Sequence, residues 1–253
     1  MGHIIAFINQ KGGVGKTTTA AGIGAGLRRK NFSILFIDAD PQANLSYIVG
    51  ADSRLTGTLE LLTRSAEASE LIQKTAQGDV ISASAGLAAE GLLSDTGKEY
   101  RLRESLEAIK NDYDCILIDC PPSLGILAIN ALTAATAAIL PVQADILSLQ
   151  ALGQFSQTLG AVRRYTNREL KLFGLVMTRY NKRTVLTQEA TQLIEQTAAQ
   201  LGTKVYKTPI RESIVVKEAQ ASKQDIFSHS PKSNSAADFA ALTDEIIKDM
   251  EAL

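Results

Sequence analysis

The 253 residues fit one large α/β domain, 1–253, and an apolar share of 45% can build a sizeable core. No segment approaches about eighteen consecutive apolar residues, which excludes a membrane-spanning helix, and Met1-Gly2-His3 leads directly into a strand, which argues against a signal peptide. The net charge of −1 hides an asymmetry: residues 163–232 carry thirteen Lys and Arg against six Asp and Glu, so that segment is +7 and the remainder −8. A basic stretch on an otherwise acidic chain points to a polyanion as partner.

The first predicted element is a buried strand, His3–Asn9, read from Ile4-Ile5-Ala6-Phe7-Ile8. It runs into Lys11-Gly12-Gly13-Val14-Gly15-Lys16-Thr17-Thr18 and then into an Ala- and Gly-rich helix, Lys16–Arg29. Strand, glycine loop and helix are the setting of a phosphate loop. Glycines let backbone N–H groups turn toward phosphate oxygens, and the helix N-terminus adds partial positive charge. Lys16 then reaches the β- and γ-phosphates of a nucleoside triphosphate, and the Thr17 hydroxyl ligates Mg²⁺. Gln10 stands where the common phosphate loop has its first glycine, and a second lysine, Lys11, stands at the loop mouth. Lys11 is poorly placed for its own nucleotide, but it can neutralise a phosphate held by a facing copy, as an arginine finger does.

Predicted strands and helices alternate from there. Strand Ile34–Ile37 ends near Asp40, and strand Cys115–Ile118 ends at Asp119, followed by the stiff pair Pro121-Pro122. Carboxylates at the carboxyl ends of apolar strands gather where open α/β sheets bind ligands. Asp40 can orient or deprotonate a water facing the γ-phosphate, and Asp119 can hold Mg²⁺ through a water; Asp38 reads as structural. Thr17, Asp40 and Asp119 thus form the expected metal surround. The other strands are Val80–Ala83, Ala137–Pro141, Leu172–Met177 and Lys204–Lys207, and the other helices Lys98–Asn111, Leu124–Ala134, Ile146–Tyr165, Val185–Leu201 and Ala236–Glu251. This alternation predicts a mainly parallel, twisted sheet flanked by helices on both faces, of the P-loop NTPase type. Cys115 and Cys120 have no metal-ligand neighbourhood and read as reduced thiols.

The loop Lys11–Thr18 resembles the deviant Walker A motif of the ParA/MinD group of ATPases. Ile34–Asn44 resembles that group's second strand and switch I, and Asp114–Ser123 its Walker B strand and switch II. The motifs occur in the expected order over essentially the whole chain, and within the group the chain is similar to the short ParA/Soj-type partition ATPases. The resemblance implies a hydrolytic role for Asp40 and a homodimer with ATP sandwiched between subunits. It implies non-specific DNA binding by that dimer, and a ParB-like, centromere-bound partner that stimulates hydrolysis. Location is then cytoplasmic, and nucleoid-associated when ATP is bound. It places adenine between the loop Thr178-Arg179-Tyr180-Asn181 and the loop Pro209-Ile210-Arg211, with Asn181, Pro209 and Arg211 as contacts. The DNA set is Arg163, Arg164, Arg179, Lys182, Arg183 and Lys217; one family arginine matches Arg183, and a second falls near Val215, so its contact is absent or shifted to Arg211 or Lys217.

The alternative is a MinD-like, membrane-associated positioning ATPase. It needs a cationic amphipathic C-terminal helix, whereas Asp238–Leu253 carries five acids against Lys248 alone. That charge of −4 is repelled by an anionic surface. A third possibility, a metabolic ligase or reductase of the same superfamily, lacks visible substrate or cluster residues.

Overall fold

Strand-forming runs rich in Ile, Leu, Val and Ala meet at the centre of the molecule and leave their polar ends at one edge. The computed structural model describes residues 2–89, 95–181 and 185–253, apart from the side chains of residues 185 and 186. Its strands are β1 His3–Phe7, β2 Ile34–Asp38, β3 Gln73–Thr75, β4 Gly78–Ile81, β5 Cys115–Asp119, β6 Ala137–Val142, β7 Lys171–Tyr180 and β8 Ile210–Arg211. They form one sheet in the order β3-β4-β2-β5-β1-β6-β7-β8. All neighbours are parallel except the β3–β4 hairpin. The helices are α1 Lys16–Arg29, α2 Asn44–Val49, α3 Thr58–Thr63, α4 Arg101–Leu106, α5 Ile126–Ala134, α6 Ile146–Tyr165, α7 Val185–Gln200, α8 Ile214–Ala221, α9 Ile226–His229 and α10 Asn234–Glu251.

Both faces of the sheet are covered, because successive side chains of a strand point to opposite sides. Ile4, Ala6, Leu35, Ile37, Ile116 and Ile118 pack with Leu102, Leu132, Phe155 and Ile194 from α4 to α7. Ile5, Phe7, Ile34, Phe36 and Leu117 pack on the other side with Ile23, Leu27, Phe239, Leu242 and Ile246 from α1 and α10. The predicted fold class is borne out.

Two predicted elements are reshaped. Lys204–Lys207 is not a ladder strand: Val205 makes a single bridge to Leu175. The N–H groups of Lys207 and Thr208 instead donate to the Glu245 carboxylate, each at 2.9 Å, so the ladder stops, and the last strand is Ile210–Arg211. The predicted helix Lys98–Asn111 is α-helical only over Arg101–Leu106, with a 3₁₀ turn at Lys98–Tyr100. Beyond it, bonds such as Ile109 N–H to Leu106 O at 3.1 Å tighten the chain to three-residue spacing. The short elements α2, α3, α8, α9 and β3 have no sequence counterpart in the prediction, being too short for periodicity to register.

α1 sits between the sheet and α10, and its glycines permit that approach. A methyl group at Gly24 would lie 2.2 Å from the Phe36 ring, and one at Gly22 would lie 2.3 Å from Phe239. Helix propensity alone says that Gly24→Ala gains about 1 kcal/mol, whereas overpacking a buried contact costs about 1–3 kcal/mol. Urea denaturation of Gly24→Ala should therefore show a net loss of stability.

Candidate functional site

β1 lies between β5 and β6, and the chain leaves it toward β2 but returns on its other side to form β6. The crevice at the carboxyl ends of these strands is where such a sheet binds ligands. The loop between β1 and α1 fills that position. Gly13 and Gly15 adopt φ of +74° and +89°, a left-handed conformation that glycine enters without strain. The turn is held from outside. Asn9 donates to Pro141 O at 2.7 Å and accepts from Lys11 N–H at 2.9 Å. The Thr178 hydroxyl donates toward Val14 O at 2.6 Å and Val142 O at 3.0 Å. Gln143 donates to Gly13 O at 3.3 Å. None of these supports stood out in the sequence; the signal was only a polar residue at the end of an apolar strand.

The loop opens on a cleft of about 480 Å³. Its lining includes Gly12, Gly13, Gly15, Lys16, Thr17 and Thr18 from the loop, Asp40 and Asn44 after β2, and Pro122 after β5. Thr178, Arg179, Ile210, Arg211, Val216, Lys217 and Gln220 close the other side. Thr17 Oγ1 donates to Asp119 Oδ2 at 2.6 Å, while Asp119 Oδ1 is buried without a partner. Gln220 donates to Thr18 Oγ1 at 2.9 Å, tying α8 to the loop. Asp40 is 7% exposed and accepts the Gln42 N–H at 3.0 Å.

Behind this surface, Asp38 and Asp119 are register neighbours on β2 and β5 and both are fully buried. Asp38 accepts from Ser46 N–H at 2.8 Å, Ser46 Oγ at 2.7 Å and Asp40 N–H at 3.1 Å, so it braces the start of α2, the structural role read for it. Burial pushes its carboxyl up to about 6, against the pull of the Ser46 bonds. Burial and then the Asp38 charge raise Asp119 well above the usual carboxylate range. Burial lowers Lys16, with Asp119 the main opposing attraction.

Lys11 does not enter this cleft. Its ammonium pairs with the Asp145 carboxylate of its own chain and lies 3.4 Å from Gln143 Oε1. Asp145 is also the N-cap of α6, accepting from Ser148 N–H at 2.9 Å. Of the three residues expected at adenine, Arg211 lines the cleft; Pro209 precedes its wall, and Asn181 borders an adjoining polar hollow with Gln143, Asp145 and Glu212. The expected DNA residues are not brought together. Arg179 and Lys217 are exposed at the cleft, whereas Arg163 and Arg164 lie in the last turn of α6, about 27 Å along the helix from its N-cap Asp145 at 1.5 Å per residue. Arg163 Nε also donates to Leu170 O at 2.9 Å. Lys182 and Arg183 lie outside the described residues.

Comparison with known proteins agrees with this geometry. A family described as AAA domain matches residues 2–172. The chain is 37% identical over 252 residues to the sporulation initiation inhibitor protein Soj of Bacillus subtilis, covering 97% of this chain and 98% of that one. It is 37% identical over 253 residues to the chromosome partitioning protein ParA of Caulobacter vibrioides, covering 97% and 94%. A solved structure from Mycobacterium smegmatis, described as cobyrinic acid a,c-diamide synthase with bound ADP and magnesium, matches with a TM-score of 0.86 and 33% identity, covering 99% and 96%. With its deviant phosphate loop at the crossover of a parallel sheet and full-length relatives of this kind, the chain belongs to the ParA/Soj family of partition ATPases.

Proposed function

We propose that this chain is a DNA-segregation ATPase, one unit over 1–253, that binds Mg²⁺-ATP in the cleft and pairs face to face with a second ATP-bound copy. The observation that carries this reading is the division of labour between two lysines of one loop: Lys16 lines the cleft and Lys11 lies outside it. A cation outside its own site is available to a facing one, once it leaves Asp145. Exposed Ile146, Leu147 and Ile214 near the cleft mouth, 75%, 59% and 64% accessible, give such a pair apolar surface to bury.

The donor set fits a hard divalent cation: a hydroxyl, Thr17 Oγ1, beside the buried Asp119 carboxylate, whose Oδ1 has no other partner. Bound there, Mg²⁺ would supply charge stabilisation to the β- and γ-phosphates. The chain's own residues do the rest. The loop N–H groups and Lys16 bind the phosphates, and Asp40, steadied by Gln42 N–H, orients the attacking water. Thr18, with Gln220 bonded to it, links phosphate occupancy to α8.

The dimer would hold DNA through phosphate contacts, without reading bases, from Arg179 and Lys217, which line the cleft, together with Lys182 and Arg183 of the same basic stretch of sequence. A ParB-like partner bound at a centromere-type site would stimulate hydrolysis and release the dimer. The protein would be cytoplasmic and nucleoid-associated in its ATP form. A MinD-like reading is disfavoured because the apolar face of α10, Phe239, Leu242, Ile246 and Met250, is buried in the core, which leaves no free amphipathic face at this helix to enter a membrane. Among the described residues, no helix is long and apolar enough to cross a membrane.

DNA retardation with no nucleotide, ADP, ATP and a non-hydrolysable analogue tests the reading; retention only with triphosphate is expected, weakening by about 0.9 in log–log salt slope per phosphate contacted. Binding independent of nucleotide would overturn it. Lys16→Ala should abolish nucleotide binding. Lys11→Ala should still bind ATP as a monomer yet give no ATP dimer in light scattering, and Asp40→Ala should stay trapped on DNA with turnover lost. The raised Asp38 carboxyl also fixes a pH dependence. The folded state holds this proton more tightly than the unfolded chain, so stability falls as pH rises from about 4 to about 6, by up to about 3 kcal/mol. Thermal unfolding of nucleotide-free Asp38→Asn should lose that part of the slope.

A further inference from the structure

Three carboxylates of α10 hold the segment that closes the cleft. Asp238, Glu245 and Asp249 are spaced by seven and four residues, which puts them on one side of a helix with 3.6 residues per turn. Asp249 accepts from Tyr206 Oη at 2.7 Å and from Lys204 Nζ at 2.6 Å. Glu245 takes the two N–H groups of Lys207 and Thr208. Asp238, 6% exposed, accepts from Arg211 Nε at 2.7 Å, Arg211 Nη2 at 2.6 Å and, at 3.3 Å, Arg211 N–H. Two parallel bonds to a buried carboxylate fix the plane of a guanidinium as well as its position. Arg211 itself is half exposed and lines the cleft.

The sheet order says which end of the cleft this is. Asp40 follows β2 and Arg211 ends β8, five strand positions apart, or about 24 Å at about 4.8 Å per strand. The phosphate loop follows β1, between them. Arg211 therefore faces the part of a nucleotide that extends away from Asp40, the ribose and base.

We propose that Asp238 is a positioning residue for nucleotide binding: through Arg211 it holds the β8 wall at the nucleoside end of the cleft. This rests on the nucleotide reading given above. The affinity for nucleotide is thus set in part by a helix that does not itself line the cleft. Because the wall is remote from the γ-phosphate, ADP and ATP must depend on it equally.

The test is the dissociation constant of ADP and of a non-hydrolysable ATP analogue, with Mg²⁺, for the full chain and its variants. Asp238→Ala should weaken both ligands by the same factor, about tenfold for the loss of charge-assisted hydrogen bonds. Asp238→Glu should recover most of the loss. The double variant Asp238→Ala/Arg211→Ala should bind no more weakly than Arg211→Ala alone, since residues acting through one contact are not additive. Unchanged affinity in Asp238→Ala, additive losses in the double variant, or a loss confined to the ATP analogue would each overturn the proposal. If Asp238→Ala does not fold, Asp238→Asn and Arg211→Ala carry the same comparison. Normal nucleotide affinity in Lys16→Ala would instead defeat the nucleotide reading itself, so the two failures are distinguishable.

Discussion

Burying like charges side by side is the constraint around which this molecule is arranged. Asp38 and Asp119 end adjacent central strands, both without solvent, with Asp40 just beyond them and Lys16 the loop cation whose charge Asp119 and Asp40 attract. Taking carboxylates out of water is costly unless they are protonated, hydrogen-bonded or paired. The fold uses two of these remedies. Asp38 is satisfied by three donors, whereas Asp119 keeps one oxygen bare beside the Thr17 hydroxyl. That buried oxygen is placed where a divalent cation could take it as a ligand.

The same constraint explains why so much of the scaffold serves one loop. A glycine turn with left-handed residues has little intrinsic preference for one shape. Its shape comes from Asn9, Gln143 and Thr178, which reach it from β1, the end of β6 and β7. α8 is attached through Gln220, and α2 through the bonds of Ser46 to Asp38. The loop is thus hydrogen-bonded directly to α8, whereas α2 is bonded to Asp38, the register neighbour of the Asp119 that accepts from Thr17. Both are short, and both are anchored by apolar side chains: α2 buries Leu45, Ile48 and Val49 in the core, and α8 buries Ala219.

Much of this was legible in the amino-acid order. Apolar runs of four to six residues marked the central strands because parallel strands are buried on both faces. Lys11, Lys16, Thr17, Asp40 and Asp119 announced themselves because glycine loops and strand-end carboxylates are local patterns. What was not legible has a common cause. Lys204–Lys207 reads as a strand by composition, yet after one bridge to Leu175 the N–H groups of Lys207 and Thr208 are taken by Glu245, almost forty residues later in the chain. The acids of α10 read only as a net charge of −4; three of them are bound to residues 204–211. The basic residues from Arg163 to Lys217 read as one surface, but two of them lie in the last turn of α6, far along the helix from Asp145.

Sequence by itself determined the alternating strands and helices, the phosphate loop and the chemical identity of the groups around it, because each depends on residues within one short stretch. Only the tertiary structure decided where Lys11 rests, which carboxylate oxygen is left bare, and how α10 holds the cleft wall. Those depend on pairings across more than a hundred residues, such as Lys11 with Asp145 and Thr17 with Asp119, or between elements that meet only when the sheet closes. A side chain's charge is fixed by its type, but its partner is fixed by packing.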